Sequence, residues 1–292
     1  MNHFLLTGSL IALSISSSLG QVSNKPTTQQ TMTMNRIERT QKTYQALFQQ
    51  EIMASKTDPE LLTILQRFIF GEVFYVGNLT DKTRELITIT ALATNQTLPQ
   101  LTAHTGAALN IGVTPLEIRE VIYQLAPFIG YPKVLNSMDA INKVFESRHI
   151  TLPLATQGTV QEGQRLEKGA EKQVPLYGDS MKQNMKTLPG EFAEAIPRLL
   201  TESCFGDFYT REGLDLKTRE LMIFCALATL GGTERQMESH AVGNLKVGND
   251  TETLLSAMVQ LYPYIGFPRI ANAIGVIREV KIDPATTTTD KR

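Results

Sequence analysis

The sequence predicts an all-α fold made by tandem duplication of one helical domain, and three observations carry that reading. The word KTRELITITALAT beginning at Lys82 returns as KTRELMIFCALAT at Lys217, 135 residues later. No segment sustains the alternation of apolar and polar residues that a half-buried strand needs. The apolar stretches are punctuated by Thr or Asp before their starts, Pro just inside them and Gly after their ends, which is the grammar of helices joined by short turns.

The repeat runs well beyond its most obvious word. Gly71-Glu72 answers to Gly206-Asp207, and Ala91-Leu92-Ala93-Thr94 to Ala226-Leu227-Ala228-Thr229. One extra residue at Gly231-Gly232 moves the offset to 136, which places His104 on His240, Gly112 on Gly248, and QLAPFIGYP from Gln124 on QLYPYIGFP from Gln260. Copy one is assigned to residues 35–150, a linker to 151–159 and copy two to 160–283. The repeat favours two domains, each long enough to bury a core.

Within each copy the elements follow in order. NRIERTQKTYQALFQQ from Asn35 and VQEGQRLEKGAEKQ from Val160 are expected to form a first helix. Thr80 and Asp215 are N-cap candidates for the helix that carries the repeated word to about Thr94 and Leu230. That helix is apolar nearly all round after its first turn and belongs in the centre of the fold. A second helix is expected over Pro99–Asn110 and Glu234–Lys246, each stopping at a glycine. Thr114-Pro115-Leu116-Glu117 reads as a capping box opening a third helix to about Ile129. Pro127 and Pro263 should kink or shorten that helix, and a fourth starts at Pro132 and Pro268.

The ends read differently. Residues 1–20, an apolar stretch followed by a serine-rich run, resemble a secretory signal although no Lys or Arg precedes them. Export to a periplasm or outside the cell is therefore the expectation, with a cytoplasmic chain as the alternative if this segment is no signal. Residues 21–34 and 284–292 hold too few apolar side chains to offset the entropy of ordering and are expected to be disordered. With a net charge of −1 and a charged fraction of 20%, no nucleic-acid partner is expected. The stretch at the amino terminus is too short for a membrane span, so no membrane partner is expected of the mature chain. Cys204 and Cys225 form no C-x-x-C pair, and four His in total give no zinc-like spacing. Buried free thiols are the plain reading of both.

The chemistry is sought in Glu85 with His104 and in Glu220 with His240, separated by 19 and 20 residues. Each pair falls on consecutive helices that an antiparallel hairpin brings face to face. A carboxyl taken out of water favours its neutral form, and a His within reach can relay its proton. Ion-pairing on a solvated face and a satisfied core imidazole are the bland readings of the same residues. Arg84 and Arg219 are candidate donors to a substrate carboxylate. Copy two adds Arg211, where copy one has Val76, so copy two is the better-equipped site.

GDFYTREGLDLKTRELMIFCALATLGGTERQMESH, followed by VGN and YPYIGFPRIANA, resembles the carboxymuconolactone decarboxylase family, and copy one does so more loosely. The resemblance implies an alkylhydroperoxidase D-like helical domain in two copies, and three chains forming a pseudo-hexameric ring. It also implies one of two chemistries. The peroxidase branch uses a C-x-x-C pair, but those positions hold Thr97 and Gln100 in copy one and Thr233 and Gln236 in copy two. The decarboxylase branch uses no metal or organic cofactor. There Arg211 and Arg219 would bind substrate carboxylates and oxyanion, while Glu220 and His240, or Glu85 and His104, would return a proton to carbon. Where that branch has Trp-Thr-Arg-Pro-Gly, this chain reads Tyr209-Thr210-Arg211-Glu212-Gly213. The expected function is a cofactor-free acid-base lyase or isomerase acting on a small carboxylated or lactone-like molecule. A peroxidase-like antioxidant protein and a non-catalytic oligomeric binding protein are the alternatives.

Overall fold

The computed structural model describes residues 34–280. The expected signal segment, residues 21–33 of the first expected disordered stretch and the whole of the second lie outside the described residues. Copy one comprises α1 (Arg36–Phe48), α2 (Pro59–Gly71), α3 (Asp81–Asn95), α4 (Leu98–Asn110), α5 (Pro115–Tyr123), the single turn α6 (Ala126–Ile129) and α7 (Tyr131–Ser147). Copy two comprises α8 (Arg165–Tyr177), α9 (Ser180–Met185), α10 (Phe192–Leu200) continuing into a π-helical segment (Thr201–Tyr209), α11 (Leu216–Leu230), α12 (Glu234–Lys246), α13 (Thr251–Ile265) and α14 (Phe267–Glu279). No strand occurs among the described residues.

Local chemistry sets the helix ends. The Thr80 hydroxyl accepts from the Thr83 amide, and the Asp215 carboxylate from the Thr218 amide, so α3 and α11 both begin with a satisfied donor. Thr114 and Glu117 close a reciprocal capping box at α5. The two prolines of the third helix have different effects. In copy one the helix is interrupted before Pro127, giving α5 and α6, whereas Pro263 sits inside α13, which runs unbroken to Ile265. The expected shortening thus holds in one copy only.

α3 and α11 form the middle of the molecule: residues 84–94 and 219–229 are all buried. Ile87, Ile89 and Leu92 of α3 belong to the same apolar core as Met222, Phe224 and Leu227 of α11, and the Thr90 hydroxyl lies 3.4 Å from the Met222 sulfur. Burying each such side chain stabilises by ~1.5–3 kcal/mol. The copies are therefore repeats that share one core and not two separately cored domains.

Two arginines fasten the shared core at its polar edges. Arg84 donates to the Val73 and Val76 carbonyls and reaches across to Gln260 Oε1 at 3.1 Å. Arg219 donates to the Arg211 and Glu212 carbonyls and reaches back to Gln124 Oε1 at 3.3 Å. Gln124 and Gln260 are equivalent positions, so the exchange is reciprocal. Both arginines are only 1% exposed, and burial lowers the Arg84 pKa to about 10 and also pulls that of Arg219 down. The expectation that these two guanidinium groups face a substrate carboxylate is thereby corrected: their Nη donors go to loop carbonyls and to a glutamine of the other copy, and both groups are buried.

Candidate active site

Each central helix carries a glutamate one residue after its arginine, and the carboxyl groups of Glu85 and Glu220 have no exposed surface. The antiparallel hairpins α3–α4 and α11–α12 bring a histidine to each. His104 Nδ1 lies 2.8 Å from Glu85 Oε2, and His240 Nδ1 lies 3.1 Å from Glu220 Oε2. All four residues expected from sequence therefore meet in pairs. Each imidazole also packs edge-on against an aromatic ring of the other copy: His104 against Tyr264 of α13, His240 against Phe128 of α6. Both pairs therefore lie where the two copies meet.

The surroundings of the two carboxylates differ sharply. In copy two the Tyr177 hydroxyl, at the end of α8, donates to Glu220 Oε2 at 2.6 Å and lies 2.7 Å from His240 Nδ1. The Tyr209 hydroxyl donates to Glu220 Oε1 at 2.6 Å. A phenol has one hydrogen; with that of Tyr177 given to Glu220, its oxygen accepts the His240 Nδ1 proton. This network assigns the tautomer and leaves His240 Nε2 as the ring atom able to exchange a proton with a ligand. Burial first, and the Glu220 charge second, push both phenols well above the ordinary tyrosine pKa, so both remain donors. Asn244 completes the frame, its amide donating to the Glu220 and His240 carbonyls.

Copy one has none of these donors. Phe48 ends α1 as Tyr177 ends α8 and packs on His104, while Phe74 occupies the position of Tyr209. Glu85 Oε1 is consequently buried without a hydrogen-bond partner. A third position changes with them. A Cβ on Gly243 would stand 2.9 Å from both Glu220 Oε2 and the Tyr177 hydroxyl, so only glycine admits that hydrogen bond. Copy one places Ala107 there, packed in an apolar cluster with Phe70 and Phe74. Where copy two has Tyr, Tyr and Gly, copy one has Phe, Phe and Ala.

The remaining expected residues are placed as follows. Arg211 does not join the Glu220–His240 pair; it donates to Glu120 of α5 at 2.7 and 3.0 Å and stacks over Tyr123. Cys204 and Cys225 are free and buried, and burial pushes both thiols far above the ordinary cysteine pKa. Tyr177, Tyr209, Phe128 and Tyr264 were not anticipated. Tyr209 was readable, since it aligns with Phe74 in FGDFY against FGEVF; Tyr177 lies in the segment where the copies have diverged most.

The model of the carboxymuconolactone decarboxylase family matches residues 59–143 and again 194–279, more than half of the sequence. The chain belongs to the carboxymuconolactone decarboxylase family. It is 31% identical over 80 residues to the nitrosuccinic acid decarboxylase of Metarhizium robertsii, covering 27% of this chain and 56% of that protein. It is 33% identical over 82 residues to the 4-carboxymuconolactone decarboxylase of Acinetobacter baylyi, covering 28% of this chain and 61% of that protein. The chain thus matches little more than half the length of these relatives. A crystal structure from Burkholderia xenovorans, described as a gamma-carboxymuconolactone decarboxylase subunit, superposes with a TM-score of 0.50 at 21% identity, covering 82% of this chain and 93% of that one. That likeness speaks to the fold.

The asymmetry predicts opposite effects of equivalent substitutions. Tyr209→Phe should lower stability by ~1–3 kcal/mol in urea unfolding, because a buried carboxylate oxygen loses its donor. Phe74→Tyr should raise stability by up to ~1 kcal/mol by supplying the donor Glu85 lacks. A Tyr209→Phe protein as stable as one carrying the exposed substitution Tyr131→Phe would refute the assignment.

Proposed function

We propose that the chain is a decarboxylase whose working centre is Glu220, Tyr177 and His240, acting on a small molecule that carries a carboxylate beside an electron-withdrawing group. The observation that carries this reading is the continuous hydrogen-bonded path from a fully buried carboxyl group through a phenol to an imidazole, in a member of a family that includes named decarboxylases. A lactone carbonyl or a nitro group serves equally well as the electron sink.

The chain's part in such a reaction is proton handling. When the carbon–carboxylate bond breaks, its electron pair moves onto the electron-withdrawing group and carbon dioxide leaves. The resulting anion must then be protonated at carbon; with Nδ1–H held by Tyr177, His240 donates from Nε2 in its doubly protonated form, and the ring then takes a replacement proton from solvent. Tyr177 and Glu220 hold the ring in one orientation and can share the proton that returns from solvent. Exclusion of water by Phe128, Tyr177 and Phe205 strengthens these interactions. Glu85 and His104 form the same pair without the phenol bridge and are proposed to serve the fold more than the reaction. The thiol-peroxidase alternative finds no support here, because neither cysteine is near a C-x-x-C position and both thiols are buried.

Carbon dioxide release from 4-carboxymuconolactone and from nitrosuccinate, each offered to the purified chain, tests the reading. Turnover of either, lost by at least ~100-fold in His240→Gln, is expected. No release from either would remove decarboxylation of this substrate class.

The second proposal concerns assembly. Leu61 and Ile64 on α2 are 65% and 62% exposed, and Ile196 and Leu199 at the equivalent positions of α10 are 41% and 55% exposed. Apolar faces kept in water by both copies are what a ring of chains would cover. Sedimentation should give three times the mass of one chain, and a monomer would exclude the ring.

A further inference from the structure

We infer that a second binding site, separate from Glu220 and His240, lies between α5, the inter-copy linker and the loop before α11, and that it takes a small organic anion: a carboxylate on a flat apolar or aromatic body. The inference does not depend on which reaction the chain performs. A cleft of about 730 Å³ opens there, lined by Arg119, Arg211, Tyr123 and Asn142 together with Met138 and the linker from Leu152 to Gly158. That volume is in the range of small-molecule sites.

The charge in this cleft is unbalanced. Glu120, with no exposed surface, accepts Arg119 Nε and Nη2 at Oε1 and Arg211 Nη2 and Nε at Oε1 and Oε2. Arg219 Nη2 comes within 3.8 Å of the same carboxylate. Three guanidinium groups, with side chains at most 17% exposed, surround a single carboxylate. One arginine would neutralise its charge. Asp215 acts on Arg219, but it caps α11 through Thr218 and joins none of the hydrogen bonds within the cluster. Among the described residues Arg211 Nη1 has no hydrogen-bond partner, and it borders Gly158 in the cleft wall.

The geometry also fits the rest of such a ligand. The Arg119 and Arg211 guanidinium groups lie 5.4 and 5.3 Å from the centroid of the same Tyr123 ring, which fixes both forks beside an aromatic surface. Arg119 is further held by the Leu154 and Ala155 carbonyls, so the linker positions the cation as well as forming the wall. A planar carboxylate accepts two parallel N–H groups from an arginine, whereas Met138 and Leu152 offer only apolar contact to what it is attached to.

Comparison with the other copy shows that the fold does not require this cluster. The positions equivalent to Arg119, Glu120, Tyr123 and Arg211 are Leu255, Ser256, Val259 and Val76. There the loop simply packs down, with the Asn78 amide donating to the Ser256 hydroxyl. The charged cleft is confined to the seam that the linker covers.

Isothermal titration of the full chain with benzoate, and with benzamide as the neutral isostere, tests the site. Saturable benzoate binding at one site per chain is expected, with no binding of benzamide. Arg211→Gln should weaken it by at least about tenfold through loss of the charged fork. Should that variant fold poorly, Asn142→Trp fills the cleft without touching the ion cluster and should abolish binding. Glu220→Gln should leave benzoate affinity within about twofold. Absence of saturable binding, or binding that survives both cleft variants, overturns the site. Loss of binding in Glu220→Gln instead would place the anion at the histidine centre and overturn the separation of the two, while leaving the proposed reaction standing.

Discussion

A carboxylate with no exposed surface must be satisfied by the protein around it, and this constraint organises the molecule from α11 outward. Glu220 sits on a helix whose neighbours are almost entirely apolar, so each donor it needs has to be delivered by another element: Tyr177 from the end of α8, Tyr209 from the π-helical segment and His240 from α12. Bringing those elements close enough requires small residues at the contacts. Gly206 lies so near the start of α8 that a Cβ would stand 2.5 Å from the Arg165 carbonyl, and Gly243 leaves room for the phenol itself. Packing and polar satisfaction are thus one problem, solved by the same residues.

Duplication supplies the Glu–His pair twice, but only one copy surrounds its carboxylate with donors. The second copy holds a fully partnered carboxylate, while the first has the same Glu and His inside an aromatic box with one carboxylate oxygen left unpartnered. The reciprocal Arg–Gln exchange ties the copies, and each packs a ring, Tyr264 or Phe128, on the other's histidine. Because each histidine packs on a ring of the other copy, removing either copy would strip a wall from the other's Glu–His pair. The Arg119–Glu120–Arg211 cluster has no counterpart at the equivalent positions, which hold Leu255, Ser256 and Val76.

Much of this fold is legible in the sequence. The repeated word, the two offsets and the caps at Thr80, Asp215 and Thr114 locate α3, α4, α7, α11, α12 and α14 to within a residue or two, because capping and burial are local or periodic properties, whereas α2, α9 and α10 were not read and α8 begins at Arg165, five residues after the expected start. The Glu–His pairs follow from the same hairpin geometry. The fate of Arg84 and Arg219 was not legible: a buried arginine that braces loop carbonyls and one that binds a substrate look identical in sequence, and only tertiary contacts tell them apart. Tyr177 was missed for a related reason. Its value comes from standing opposite Gly243, 66 residues further along the chain, and nothing local marks either residue. The contrast between Pro127 and Pro263 shows the limit from the other side, since the same residue at equivalent positions interrupts one helix and leaves the other whole.

The central claim is that the duplicated centres have become unequal and that chemistry belongs to the second. Carbon dioxide release by Glu220→Gln and by Glu85→Gln, measured side by side with the unmodified chain, tests it most directly. The account predicts a loss of at least ~100-fold for Glu220→Gln and a change of no more than about threefold for Glu85→Gln in the fraction that remains folded. Equal losses in the two variants, or a loss confined to Glu85→Gln, would contradict it.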